Sequence, residues 1–287
     1  MDKLRMYLPL IFLGALVAGA VVVWSLVLYV EGRAGYLALR IFDIGQGDGI
    51  FAEFPDGNQI LIDGGPDGSI LAKLGSTMLP WDRSIDAIIL THPHADHVSG
   101  LLEVLKRYHV GLVIESDAQY GTPEYSEWHK LLIQKEVPVV RAEAGMKLEG
   151  RQGTFLFLAP QKDYSEMPLN NVHDAMIVMK LSYASTSVLL TGDMERKLEY
   201  SLLRNGSDLH ADVLKVGHHG SKTSTSDDFL KAVSPAYAVI SAGRKNTYGH
   251  PTQEVLNRLA AFGTRIFRTD QDGDVTFISD GSAFVTP

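Results

Sequence analysis

From Met6 to Val30 the chain runs 25 residues without one charged side chain, "MYLPLIFLGALVAGAVVVWSLVLYV". In hydrocarbon a backbone must satisfy its own hydrogen bonds, so a run of this kind has one structure open to it, a helix. At ~1.5 Å per residue the helix would be roughly 37 Å long, enough to cross a ~30 Å hydrocarbon core with some tilt. The apolar part of a cleaved signal peptide is normally only about 7–15 residues, so the run reads as an uncleaved anchor, although "AGA" at Ala18–Ala20 leaves cleavage open. Lys3 and Arg5 precede it, while Glu31 and Arg33 behind it offset each other. The positive-inside bias then predicts a single-pass protein of the cell membrane, its N-terminus cytoplasmic and its large domain extracytoplasmic. The expected division is 1–34 for stub, anchor and linker, and 35–287 for one folded domain.

The rest is rich enough in apolar residues to bury a core. It holds no cysteine, which excludes thiolate ligands, cysteine nucleophiles and disulfides. Net charge is −8; the first five residues carry +1 (Asp2, Lys3, Arg5), leaving −9 beyond them. That is not the basic footprint of a tight duplex-DNA binder. Bound cations would offset part of it near an anionic substrate.

Beyond the linker "EGRAGY", short β runs ("ALRIFDI", "IFAEF", "QILI", "IDAIILT", "TFLFLAP", "MIVMKLSY", "SVLLTGD", "ADVLKVGHH", "AYAVISAG") mix with helical stretches ("VSGLLEVLKRYH", "MERKLEYSLLRNG", "TQEVLNRLAAFG"). "PDGN" supplies a hairpin turn. No repeat and no Pro/Ser-rich linker divides the region, so it reads as one α/β domain.

Within it, "ILTHPHADHVSG" concentrates metal-capable side chains in a strand-to-helix loop: His92, His94, Asp96 and His97, in an H-x-H-x-D-H pattern. Imidazole and carboxylate suit zinc, manganese or iron, and this spacing can serve two metals a few Å apart. More ligands are then needed downstream. Asp193, in "LLTGD", can bridge two ions or cap the following helix. "VGHHG" offers His218 and His219; strand alternation lets one ligate, and His218 is favoured, with His219 facing substrate. His173 supplies the third protein ligand that the first metal would otherwise lack.

This series resembles the metallo-β-lactamase superfamily, whose fold is an αββα sandwich with one or two metals between its sheets. More narrowly, "FDIGQGDGIF", "LIDGG", "THPHADHVSGL" and "LLTGDME" through "DVLKVGHHGSKTS" to "NTYGHP" resemble the hydrolase domain of ComEC-type competence proteins of DNA uptake, over roughly residues 37–259. The resemblance implies two divalent cations, zinc or manganese: one held by His92, His94 and His173, the other by Asp96, His97 and His218, with Asp193 between. Asp63 would brace the ligand loop, and Gln46 and Asp48 would overhang the cleft, Asp48 also supporting the ligands from behind. His173 and Met176 depart from the asparagine and serine usual in the competence relatives. One apolar helix, where those relatives carry many, cannot line a pore. The chain would be the hydrolase part alone, beside a separate DNA-channel protein.

The expected chemistry is hydrolysis by water activated between cations, with Asp96 or Asp193 handling its proton. Lys215, Ser221 and Lys222 suit phosphate oxygens. Asn246 and His250 would edge the cleft, and His250 can protonate a leaving alkoxide. The leading reading is a membrane-anchored phosphodiesterase or DNase acting on single-stranded DNA. A metallo-hydrolase of another ester or amide (a wall-polymer phosphodiester, a lactone or a β-lactam) and a non-catalytic assembly module are the alternatives.

Overall fold

The structure is a computed structural model describing residues 2–33, 35–116, 118, 120–150, 152–162, 164 and 172–286. It separates into two units, residues 1–36 and residues 37–287. The first is a single helix, Asp2–Arg33. Its Tyr7–Ser25 stretch has a mean hydropathy of 2.3 and is long and apolar enough to cross a membrane.

The second unit contains two sheets. One has eight strands in the order Phe284–Val285, Val275–Ser279, Leu37–Ile41, Ile50–Glu53, Gln59–Ile62, Ser84–Leu90, His109–Glu115, Val139–Arg141. The last four are mutually parallel. The other has seven: Arg265–Arg268, Tyr237–Ile240, Val213–Lys215, Thr186–Leu190, Val178–Tyr183, Gly153–Ala159, Lys147–Glu149. Its first four are parallel.

The strand patterns follow from where each face lies. Leu37–Ile41 alternates buried and half-buried residues, as expected of a strand with one face on the core. Ser84–Leu90 ends in four consecutive buried residues, because helices cover its other face. Leu39, Ile62 and Ile89 of one sheet share a cluster with Phe157, Met179 and Val188 of the other, which forms the middle of the sandwich. Helices Ser69–Thr77, Ala95–Arg107 and Pro123–Gln134 pack outside the first sheet. Arg196–Arg204, Asp227–Val233 and Gln253–Ala261 pack outside the second. The layers are helix, sheet, sheet, helix, as the resemblance implied.

Local differences have physical reasons. The strand read across "ADVLKVGHH" stops at Lys215, and Gly217–Gly220 is a tight turn with His218 (φ 47°) and His219 (φ 52°) in the left-handed region. Asp193 does not cap the following helix, whose N-cap is Glu195. Val139–Arg141 and Lys147–Glu149 are strands without an expected counterpart. Each has three residues at a sheet edge and is largely exposed, so hydrophobic alternation has nothing to mark.

Candidate metal centre

The chemistry-bearing loops gather where the parallel strands of both sheets end, the usual ligand edge of such sheets. His92–His97 follows Ser84–Leu90, Asp193 follows Thr186–Leu190, and the histidine pair follows Val213–Lys215. His173 lies in a short helical turn, Val172–Ala175, ahead of Val178–Tyr183.

Four groups of donor atoms result among the described residues, each with all atoms within 4.8 Å of one another, and two of them have four members: His92, His94, His173 and Asp193; and Asp96, His97, Asp193 and His219. Asp193 belongs to both. His218 differs from the expectation. It joins His173 and Glu195 instead, with Nδ1 3.3 Å from Glu195 Oε1. Strand alternation cannot choose between the two histidines, because both sit in a left-handed turn beyond the strand.

Tautomers are set from behind. His219 Nδ1 donates to the Ser241 carbonyl at 3.0 Å, which turns Nε2 toward Asp193 Oδ1 (3.3 Å) and Asp96 Oδ2 (3.5 Å). Asp63 is fully buried. It accepts from Thr91 N (2.8 Å), Thr91 Oγ1 (2.7 Å) and His97 Nδ1 (2.8 Å), leaving His97 Nε2 to face Asp193 Oδ2 at 3.6 Å. This is the carboxylate–histidine arrangement that orients metal ligands. Residue 63 also has φ 56°, a conformation that costs free energy and persists where the surroundings demand it. We expect Asp63→Ala to weaken metal affinity by about 10–100-fold. It should also destabilise the fold by about 1–3 kcal/mol, since the Thr91 and His97 donors lose their acceptor. Metal titration and a thermal melt test this; unchanged affinity would contradict it.

Burial opposes charge throughout the group, and the neighbours decide the outcome. Burial and the nearby His97 hold His92 well below the usual imidazole range, and burial with His173 brings His94 down to about 4. Burial alone would lower His97, yet Asp193, Asp63 and Asp96 raise it well above its ordinary value. His219 rises to about 9, Asp193 chiefly outweighing burial. Burial would raise Asp96 and Asp193, but His97 takes Asp96 down to about 2, and His219 and His97 take Asp193 well below the carboxylate range.

The residues fit cations. His97 Nε2, His219 Nε2 and Asp193 Oδ1 are buried and make no hydrogen bond among the described residues. Buried polar atoms left in this state are costly unless a ligand satisfies them. The carboxylates that raise the affinity of His97 and His219 for protons would equally attract a cation, so protons and metal compete. His219 binds its proton up to about pH 9. Affinity at the Asp96–His97–Asp193–His219 group is therefore expected to rise from pH 6.5 to 8.5, with proton release on loading. Calorimetry in buffers of different ionisation enthalpy checks this; a flat profile would contradict it.

The other expected site residues fall in different places. Lys215 is fully buried and paired with Asp48 at 2.8 Å, so it faces no solvent or substrate. Asn246 spends its amide on its own loop, donating to Gly243 O (2.8 Å) and His250 O (2.7 Å) and accepting from His250 N (3.1 Å). Ser221 is buried and bonded to Thr223 Oγ1 at 3.0 Å. Gln46 accepts from Gly243 N at 3.1 Å, joining loops of the two sheets. Lys222 is exposed at a cavity of ≈ 380 Å³ that it shares with Glu195, Arg196, Lys197, Thr223 and Glu254. His250 is half-buried, its ring 5.8 Å from His218 and stacked on the exposed Tyr248. Sequence reading missed Glu195, Thr91 and Tyr120, whose ring lies 5.5 Å from His94. Only the adjacency of Glu195 to "TGD" and of Thr91 to the histidine motif could have drawn attention to them.

With fold and site together, the domain has the metallo-beta-lactamase fold, and the family pattern described as Metallo-beta-lactamase superfamily matches residues 43–159 of the chain. The chain is 31% identical to ComE operon protein 3 of Bacillus subtilis over 83% of its own length and 32% of that protein. It is 31% identical to competence protein ComA of Neisseria gonorrhoeae (84% of the chain, 32% of that protein) and 32% identical to recombination protein 2 of Haemophilus influenzae (81% and 28%). The ComEC-type similarity read from the motifs thus extends over most of the chain, which spans about a third of the length of these relatives. Among solved structures, the metallo-beta-lactamase fold protein YhfI of Bacillus subtilis superposes with a TM-score of 0.57 at 14% identity, over 85% of this chain and all of that one. Igni18, a metallo hydrolase from Ignicoccus hospitalis, gives 0.53 at 15% identity over 84% and 98%. These two share the fold.

Proposed function

We propose that the chain is a metal-dependent phosphodiesterase, tethered to a membrane by its N-terminal helix with the domain on the extracytoplasmic side, and acting on single-stranded DNA or a chemically similar phosphodiester. The observation that carries this reading is the pair of donor groups sharing Asp193 at the strand ends of both sheets. Two divalent cations there, zinc or manganese, would lower the pKa of water and polarise the phosphoryl oxygen. The chain's residues would do the rest. His92, His94 and His173 hold one ion and Asp96, His97 and His219 the other, with Asp193 between them. Asp96, about a third exposed, is placed to accept a proton from the attacking water. Arg196, Lys197 and Lys222 bring positive charge to the cavity, partly offset by Glu195, Glu254 and the Lys197–Asp174 pair, which suits phosphate oxygens better than the uncharged carbonyl of a lactam. His250 would return a proton to the leaving oxygen. The charge of −9 beyond residue 5 favours a single strand or short phosphodiester over duplex DNA. Similarity to proteins named for competence and recombination supports the nucleic-acid choice.

The test uses the full chain in detergent, loaded with Mn²⁺ or Zn²⁺ and offered linear single-stranded DNA, bis-p-nitrophenyl phosphate and nitrocefin in parallel. Cleavage of both phosphodiesters, abolished by EDTA, is expected. Hydrolysis of nitrocefin alone would overturn the reading.

A further inference from the structure

The least expected group near the site is Lys215, an ammonium with no exposed surface. Its Nζ lies 2.8 Å from Asp48 Oδ2, and the Asp48 side chain is only 1% exposed. Taking two charges out of water is costly, and apolar residues of similar volume generally stabilise a core at least as well. Such a pair therefore suggests a need for position.

Asp48 sits on the loop between Leu37–Ile41 and Ile50–Glu53 of the first sheet, while Lys215 ends Val213–Lys215 of the second. Apolar packing between the sheets is not directional, and the buried hydrogen bond between Thr186 Oγ1 and Ser279 Oγ (2.7 Å) ties them at the start of Thr186–Leu190, the strand end remote from Asp193. The Asp48–Lys215 pair supplies a directional contact beneath the metal centre. Lys215 Nζ donates to Val216 O at 3.0 Å and lies 3.5 Å from Gly192 O, so one ammonium contacts the backbone leading to both Asp193 and the histidine turn. On the other side, Asp48 Oδ1 is 3.8 Å from His219 Nδ1. The preceding Gly47 lies so close to the Asp96 backbone that a Cβ there would be 2.0 Å from Asp96 O. The pair thus touches the supports of Asp96, Asp193 and His219. His92 and His94 precede Asp96 on the same loop and touch neither member of the pair among the described residues, and His173 lies on a separate turn.

We infer that Asp48 and Lys215 are positioning residues that hold the two sheets in the register needed to close the Asp96–His97–Asp193–His219 group around its cation. The inference rests on the reading that both donor groups bind cations. Asp193 is shared, but without the pair the three histidines His92, His94 and His173 remain to hold the first ion, whereas the other group is expected to lose its own.

The test is made on the full chain in detergent, using Mn²⁺ alone as the probe. Three readouts are ions per chain after desalting, the paramagnetic resonance spectrum, and the thermal melt of metal-free protein. The parent is expected to hold two ions with an exchange-coupled spectrum. Asp48→Leu combined with Lys215→Met, which leaves no unpaired buried charge, is expected to melt cooperatively yet hold one ion with an uncoupled spectrum. Asp48→Asn, which keeps the side-chain shape, should weaken binding of the second ion at least tenfold. It decides the matter should the double variant not fold. Two coupled ions in the folded double variant, or unchanged second-ion affinity in Asp48→Asn, overturn the inference. A parent chain holding one ion overturns it too, but along with the two-cation reading, and is recognised because the unsubstituted protein itself then fails.

Discussion

An Asp193→Ala chain is expected to lose hydrolysis by about a thousandfold or more in kcat, some 4 kcal/mol of barrier, while remaining folded. Asp193 is the one residue common to the two main donor groups. Its Oδ2 lies 3.6 Å from His97 Nε2 and 3.9 Å from His92 Nε2, and its Oδ1 lies 3.3 Å from His219 Nε2. Removing it takes a donor from each group and removes the negative charge that faces His92, His97, His218 and His219. The fold should survive because His97 and His219, the buried imidazoles whose affinity for protons it raises, can shed their protons once the carboxylate is gone. Steady-state turnover, metal content and a melting curve measured together test this. Activity within tenfold of the parent would disqualify Asp193 as the shared ligand.

The second large effect separates the adjacent histidines. His219→Ala should reduce affinity for the second cation by about a hundredfold or more, since a direct donor is worth at least as much as the supporting residues behind it. His218→Ala should alter that affinity by less than about tenfold. It removes a ring that is a quarter exposed and whose Nδ1 points to Glu195, not to the Asp96–His97 side. Metal titration of the two variants side by side is the measurement. The opposite ranking would restore His218 as the ligand and refute the reading of the turn.

The motif His92-x-His94-x-Asp96-His97 was legible because its short range puts every donor in one loop, whatever the remainder of the chain does. Asp193 was legible for a similar reason, ending an apolar strand beside a small residue. The histidine pair was not. Alternation assumes extended backbone, and two successive left-handed residues break that assumption without any glycine at either position to give warning. Lys215 misled for another reason. A lysine beside a ligand turn looks like a phosphate contact until the fold brings Asp48 against it from 167 positions away. Long-range pairing of this kind leaves no local trace. The sandwich itself was readable from β runs mixed with amphipathic helices, but the short edge strands were hidden because neither face of them is buried.

That the donors come from both sheets bears on how such a chain is made. Residues 92–97 emerge during synthesis well before Asp193 and His219, and alone they offer neither complete group. A truncated or half-folded product would be chemically inert. Under the proposed function, activity would then arise only once the segments carrying His173, Asp193 and His219 have folded against the first sheet, so the order of synthesis itself delays it.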